Sequence, residues 1–482
     1  MTEPAVRGAL HETRPPDDAP AAALPLNPRD GLAPVAITGE YPAHAALVRG
    51  SLWRTILDVA LPAVASMLLM TIFATADAFW VGRRIGPRGL AAVSTSVFWI
   101  WMLVSAADTV GVGLTAVAAR RHGAREPRRA ARAVGDAVLL AMGVGAAIAV
   151  AGHLALGAMF GVMHTPPEVS ALGERYLGTY LYGAPLIFGF FAVDAGFRAS
   201  GDTRTPFLLL LTTVAGSLVL DPVLIVGVAP APRLGIAGAA VATVLTRAAA
   251  FVIGIRILRR RGLVAFGRPS AATIGAILRV GLPTAITGIA FSAIYVLLTR
   301  TTTLFGTPAL AALGVGHRVE SWAYMIGIGF GAAAAAVVGQ NLGARDPERA
   351  ERAGWYAAAI ATAAGIVGAA CEYGFAVPMS ALFTTDPTVV AEGAHYLRIA
   401  SLSTVFIGAE VVLEGSLGGA GDTLPPMLTS TTLTALRIPA AAWAAARWGT
   451  AGIWWTISLT AAGRGIAMML LWRSGRWKRK SL

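Results

Sequence analysis

Gly123-Ala124-Arg125-Glu126-Pro127-Arg128-Arg129-Ala130-Ala131-Arg132-Ala133 returns 220 residues later as Gly343-Ala344-Arg345-Asp346-Pro347-Glu348-Arg349-Ala350-Glu351-Arg352-Ala353. The same offset carries Gly201-Asp202-Thr203 with Pro206 onto Gly421-Asp422-Thr423 with Pro426, Leu90-Ala91-Ala92 onto Leu310-Ala311-Ala312, and Tyr176-Leu177 onto Tyr396-Leu397. Four matches at one spacing mark an internal duplication that takes up nearly all of the 482 residues. In an apolar chain, two similar halves are the construction of secondary carriers, whose lobes rock about a site between them.

Composition sets the medium. Apolar residues make up 56% and charged residues 13%, against about 25% charged in an ordinary soluble domain. Mean hydropathy is +0.65. A membrane span needs about 20 apolar residues, and twelve such runs occur, at about 52–82, 89–120, 129–157, 169–199, 205–229, 234–258, 271–304, 309–341, 349–378, 389–419, 424–447 and 450–472. The expected fold is an all-α polytopic membrane protein with twelve transmembrane helices in two pseudo-symmetric six-helix lobes. Six spans per half is even, so the halves share one orientation and their axis runs along the membrane normal.

The net charge of +13 does not call for nucleic acid, because the basic residues sit in short segments between apolar runs. Arg120, Arg121, Arg125, Arg128, Arg129 and Arg132 follow span 2. Arg256, Arg259, Arg260, Arg261 and Arg268 join the halves, Arg345, Arg349 and Arg352 follow span 8, and Arg473, Arg476, Lys478, Arg479 and Lys480 end the chain. All fall on one side of a twelve-span count, which puts both termini in the cytoplasm. Arg83, Arg84 and Arg88 break the pattern. The expected organisation is a disordered cytoplasmic tail over 1–50, lobes over 51–258 and 271–472, a cytoplasmic linker over 259–270, and a basic tail over 473–482. Cys371 is alone, so no intramolecular disulfide forms.

Ionisable residues inside spans cost about 2.5–3.5 kcal/mol each at mid-bilayer and need a reason. The candidates are Asp77, Asp108, Asp194 and Asp221 in the first half, and Arg300, Arg318, Glu320, Glu410, Glu414 and Arg437 in the second. Asp77 maps by the repeat onto Val296-Leu297-Leu298, and Asp221 maps near Ile438. Two acids therefore have no counterpart in the other half. Two readings compete. In one, Asp77 satisfies polar groups near an interface and Asp221 satisfies backbone freed by Pro222. In the other they form a proton or Na⁺ site, with Ser217, one turn before Asp221, and Thr243 of span 6 as further oxygen ligands. Each hydroxyl alone also suits a helix-packing contact. Asp194 and Glu414 are repeat mates, which fits a shared structural role. Glu410 has Phe190 as its mate and is the better candidate for touching a cationic substrate. Arg318 and Glu320 are expected to neutralise neighbours, and His153 and His317 to be hydrogen-bonded core residues. Pro62 and Pro283 each stand early in the first span of a half, where proline permits a kink.

Leu61-Pro62 followed by Asp77-Ala78-Phe79-Trp80-Val81-Gly82, Arg198-Ala199-Ser200-Gly201-Asp202-Thr203, Leu220-Asp221-Pro222, Gly235-Ile236-Ala237-Gly238-Ala239-Ala240-Val241-Ala242-Thr243 and Val338-Gly339-Gln340-Asn341-Leu342-Gly343-Ala344 together resemble the multidrug and toxic compound extrusion (MATE) family of prokaryotes, over about residues 50–475. The resemblance implies the MATE/MOP-type fold, a central cavity, and export of cationic or amphipathic compounds in exchange for H⁺ or Na⁺. In the DinF-like branch it places the coupling site on the residues matching Asp77, Asp221 and Thr243 and a helix 1 kink at Pro62. Ser217 departs from the asparagine usual there, which removes a carbonyl oxygen ligand and leaves both H⁺ and Na⁺ open. The acid that the NorM-like branch carries in span 7 is missing from Ala290-Phe291-Ser292-Ala293-Ile294-Tyr295-Val296.

The expected activity is thus secondary-active multidrug efflux by alternating access, with Glu410, Glu414 and Asp194 as possible cavity residues and Na⁺, if it is the ion, held at Asp77 and Asp221. No cofactor is expected beyond the coupling ion, and no enzymatic activity. The expected partners are small drug-like or secondary-metabolite molecules and membrane lipids, not nucleic acid, with the chain a monomer in the cell membrane. No Gly-x-x-x-x-Gly-Lys loop for ATP occurs, and no His-x-x-x-His or Gly-x-Ser-x-Gly context for an embedded enzyme. The rival is a flippase for lipids or lipid-linked precursors, whose cavity should be more cationic. Arg300, Arg318 and Arg437 keep it open.

Overall fold

Proline punctuates this chain. It occupies the first or second position of the helices Pro87–Gly123, Pro127–Val162, Pro167–Tyr182, Thr307–Gly343, Pro347–Gly374 and Pro387–Ala420, where its missing N–H costs nothing and its fixed φ already suits a helix. The computed structural model describes residues 47–163, 166–227 and 232–480, except the side chains at 74–79, 82, 87, 90, 98, 296, 300, 303 and 307. Asp77 and Arg300 are among those side chains, and most of the expected N-terminal tail lies outside the described residues.

In chain order the helices are α1 (Leu52–Ile85), α2 (Pro87–Gly123), α3 (Pro127–Val162), α4 (Pro167–Tyr182), α5 (Ala184–Ala199), α6 (Arg204–Val226), α7 (Ile236–Arg260), α8 (Ala271–Thr303), α9 (Thr307–Gly343), α10 (Pro347–Gly374), α11 (Ala376–Ala381), α12 (Pro387–Ala420) and α13 (Leu424–Arg473). Among the described residues, nine of these are long and apolar enough to cross a membrane, and the bent pair α4–α5 makes a tenth span. The last two spans are the limbs of α13. Gly449, at φ 60° and ψ −142°, folds it back on itself, so that Arg464 bonds Thr434 and Arg437 bonds Thr460 across the limbs. The left-handed φ there is open to glycine without the Cβ penalty. Twelve spans result, six in each half.

The two halves superpose in their details as well as their helices. Thr203 Oγ1 donates to Val59 O at 2.7 Å, and its mate Thr423 Oγ1 donates to Val280 O at 2.7 Å. Asp202 pairs with Arg261, and its mate Asp422 pairs with Lys480. Arg125 and Arg345 both hold positive φ, 58° and 62°. Ser66 donates to Pro62 O and Thr287 to Pro283 O, a back-bond that bends helices. Both α1 and α8 continue through their prolines as single helices.

The halves differ where the sequence differs. Pro185 deprives the α4–α5 span of a backbone donor, and the chain breaks at Gly183 by 55°. The second half has Val405 there, and α12 runs unbroken. Conversely, α3 is continuous, whereas α10 stops and the short α11 follows with Pro378 inside it.

The lobes meet crosswise. The first helix of each packs on the second helix of the other, α1 on α9 and α2 on α8. Glycines permit the approach: a Cβ at Gly113 or Gly281 would overlap the backbone of Ile277 or Thr109. At the end carrying the basic loops, Gln340 Nε2 donates to Ala199 O at 2.8 Å, and Arg120 donates to Ala420 O at 3.3 Å and to Lys480 O at 2.6 Å. Gly123 lies against Gln340 O, and Gly343 against Arg120 O. The inter-lobe hydrogen bonds of the described residues cluster at this end. The terminal segments join it. Leu47 O accepts from Asn341, so the end of the expected tail packs against α9. The expected basic tail also packs, with Trp477 1% exposed and stacked on Trp472 at 3.9 Å.

Candidate functional site

In the first lobe, Thr213, Ser217 and Asp221 recur every fourth residue along α6, and all three are buried, Asp221 at 1% exposure. That spacing forms one polar stripe on an otherwise apolar helix. It faces α7, where Thr243 and Thr246 are also buried. Ser217 Oγ and Thr246 Oγ1 are 3.0 Å apart, and Thr243 Oγ1 donates to Ala239 O of its own helix at 3.2 Å. Both threonines thus have partners while their oxygens keep lone pairs free to accept or ligate. Asp221 faces the lobe interior rather than hydrocarbon. α1, which carries Asp77, packs along α6; the Asp77 side chain lies outside the described residues.

Toward the lobe interface, a cavity of about 40 Å³ is lined by Met67, Met70, Phe190, Phe191, Asp194, Arg198, Leu210 and Arg247. Asp194 and Arg198, one helical turn apart on α5, form an ion pair at 2.9 Å. Arg247, 6% exposed, places its guanidinium 5.3 Å from the Phe190 ring centroid, a cation–π contact strengthened by desolvation. Methionine and aromatic side chains therefore face inward here, a flexible apolar wall beside fixed charges.

In the second lobe, Glu410 is 3% exposed and pairs with Arg464 at 3.3 Å. Arg464 compensates its carboxylate, so a cationic substrate reaching Glu410 would have to displace that arginine. Glu414, one turn beyond Glu410 on α12, is half-buried. Glu320 accepts from the Tyr396 hydroxyl at 3.1 Å. Arg318 is exposed and forms no ion pair among the described residues. His317 is likewise exposed and rests on the Tyr295 ring, 4.6 Å between centroids, whereas His153 bonds Ala149 O at 2.8 Å. Arg437 reaches Thr460 at 2.9 Å.

Three residues escaped the sequence reading. Thr246 lies one turn beyond Thr243, a spacing that was there to be read. Arg247 and Arg464 occupy the last span of each half, and an arginine inside both terminal spans was a visible signal.

Twelve spans in two crossed lobes, each with buried charges, define a two-lobed membrane protein. A profile of the MatE family matches residues 62–223 and 283–443, and the chain belongs to that family. It is therefore a multi-pass membrane transporter of the multidrug-efflux class, not an enzyme. The chain is 28% identical over 453 residues to a probable multidrug resistance protein NorM from Thermotoga maritima, covering 89% of this chain and 94% of the relative. It is 25% identical over 431 residues to a FAD transporter from Shewanella oneidensis, covering 88% and 95%. Its fold matches a MOP superfamily transporter from Pyrococcus furiosus with a TM-score of 0.84 at 24% identity, over 92% of this chain and all of that one.

Proposed function

We propose that this transporter is a secondary-active antiporter of the DinF-like kind, exporting cationic or amphipathic small molecules in exchange for H⁺ or Na⁺ by alternating access. Residues 51–258 and 271–472 are the moving lobes, 259–270 is their cytoplasmic linker, and both termini are cytoplasmic in the cell membrane. The observation that carries the reading is Asp221, a carboxyl group 1% exposed within one lobe, on a hydroxyl-bearing stripe, with no acidic mate in the other lobe. A carboxylate desolvated in that way is stabilised by a bound proton or Na⁺. Ion binding that favours one packing of α1, α6 and α7 shifts the balance between the two access states. Asp77 on α1 is the second carboxylate, Ser217 and Thr243 supply oxygens, and the backbone hydrogen bond that Pro62 leaves unmade lets α1 flex with the change. Asp108 and Glu414, half-buried in spans of the two lobes and in no ion pair among the described residues, support a cationic cargo.

The test is transport in proteoliposomes with pH and Na⁺ gradients imposed separately, for the parent chain and Asp221→Asn. One gradient should drive uptake of a cationic dye by the parent, and the variant should lose the response. Dye movement indifferent to both gradients ends the antiport reading. A second reading has one specific observation behind it. Arg247 is buried beside the cavity with no acid in ion-pair contact among the described residues, and a relative carries FAD. A phosphate-bearing cargo, as for a lipid or lipid-linked precursor flippase, would use that charge. Cells expressing Arg247→Gln should then show an envelope defect rather than altered drug susceptibility.

A further inference from the structure

A second cavity, of about 280 Å³, lies in the flank of the second lobe between α9, α10, α11 and α12, and every residue lining it belongs to that lobe. Its walls are apolar, including Val319, Ile326, Met379 and Phe383. Glu372 is the exception. It is 3% exposed, two residues from the end of α10, at the end opposite the basic loops. Its Oε2 accepts from Thr404 Oγ1 at 2.7 Å. Among the described residues no Arg, Lys or His forms an ion pair with it. A carboxyl group buried in an apolar wall with a single neutral partner lacks the compensation that buried acids ordinarily have. The fold does not demand it. The repeat mate of Glu372 is Gly152, and that of Thr404 is Ala184. The cavity is not sealed either, since Trp322, Ala364, Cys371 and Leu382 in its lining are exposed.

We propose that this cavity binds a hydrophobic monoammonium ion, its ammonium donating to the Glu372 carboxylate and its apolar body lying against Val319, Ile326, Met379 and Phe383. The Thr404 hydroxyl fixes the carboxylate in the cavity wall. The site is separate from Asp221 and from the lobe interface, so it stands or falls independently of the coupling mechanism. The ammonium can come from a free amine or from the ethanolamine headgroup of a membrane lipid.

Cys371, the chain's single cysteine, lines the cavity next to Glu372 and reports its occupancy. The experiment follows alkylation of Cys371 by N-ethylmaleimide, read by intact mass, on the full chain in phosphatidylglycerol liposomes. The probes are 4-phenylbutylammonium and its neutral counterpart 4-phenylbutanol. At ten times its half-saturating concentration the ammonium should slow alkylation about tenfold, as simple occupancy requires. The alcohol should not, and Glu372→Gln should abolish the protection. Ala364→Phe, which fills the cavity and leaves Glu372 in place, should abolish protection by the ammonium too, so the result does not rest on one variant's folding. Including phosphatidylethanolamine in the liposomes separates the sources. Slowed alkylation without added amine identifies the lipid headgroup, and slowing only on addition of the amine identifies a free ligand. Equal protection by the alcohol, undiminished protection in Glu372→Gln, or no protection by either ammonium source overturns the proposal.

Discussion

Gly123→Ala should pry the lobes apart at their basic end. Gly123 is the last residue of α2 and has helical backbone, so alanine suits the helix locally better than glycine does. What it does not suit is the neighbour. A Cβ at this position overlaps Gln340 O, Cα and C of α9, backbone atoms that cannot swing aside. The helix ends must separate by roughly 1 Å, enough to forfeit a quarter to half of the dispersion attraction across the contact. The separation strains two hydrogen bonds, the neutral one from Gln340 to Ala199 O at 2.8 Å and the charged one from Arg120 to Ala420 O at 3.3 Å. At about 0.5–1.5 kcal/mol for the first and about 1.5–3 for the second, the closed arrangement loses about 2–4.5 kcal/mol. That is roughly a 30- to 1,600-fold shift in the closed-to-open ratio. Spin labels at the repeat mates Arg128 and Glu348, both exposed on the segments that follow α2 and α9, in a Cys371→Ser background, report the separation by double electron–electron resonance. Gly143→Ala is the control, since a Cβ there meets nothing. Gly343→Ala, facing Arg120 O, should act alike. The double variant should do less than the sum, because both wedges open one contact. A Gly123→Ala protein that is folded yet keeps the parent's label distances refutes this account of closure.

Arg464→Ala should destabilise the protein by about 3–5 kcal/mol, because it strands the buried Glu410; adding Glu410→Gln should recover much of the loss in a detergent unfolding titration. Trp477→Ala removes a side chain 1% exposed and stacked on Trp472, for about 3–5 kcal/mol, and thermal unfolding should show it despite the residue's place in a short basic terminus. Ser217→Ala with Thr246→Val removes both members of a buried hydroxyl pair, which is nearly neutral for stability. If those oxygens serve the coupling ion, gradient-driven transport fails in the folded double variant; if transport persists, they only pack helices.

What the sequence disclosed and what it hid divide along a physical line. The duplication, the span count and the α13 reversal between about 447 and 450 were legible, because bilayer thickness and proline chemistry act on local sequence. The Asp194–Arg198 pair was legible for the same reason, being one turn apart on one helix. Glu410 with Arg464 was not, since the partners come from α12 and α13 and nothing local joins them. Glu320 with Tyr396 was hidden likewise, the partners coming from α9 and α12. The burial of Trp477 was hidden because a short basic stretch looks solvated until an aromatic partner is known. The break at Gly183 rested on Pro185, which was present to be read, yet proline inside α1 and α8 is accommodated without a break. Residue type alone therefore did not decide the outcome.

The two kinds of polar group in this protein have different symmetry, and the difference bears on how a gradient moves it. The clasp at the basic end is duplicated, Gln340 on Ala199 matching Arg120 on Ala420, as are the Asp202–Arg261 and Asp422–Lys480 pairs beside it. A duplicated clasp opens or closes as a unit, because breaking one member separates the same two helix ends that hold the other. It defines states without choosing between them. The choice has to come from a group whose energy differs between states and depends on an external supply. Asp221 is such a group: it is buried and ionisable, and the second lobe has no acid in its place. If one access state binds its ion tenfold more tightly, the state ratio shifts by a factor of up to about ten at saturation, or about 1.4 kcal/mol. The two clasp bonds open together and cost about 2–4.5 kcal/mol, so a tenfold preference tilts the balance without overturning it. To match the whole clasp the ion must prefer one state by roughly 30- to 1,600-fold.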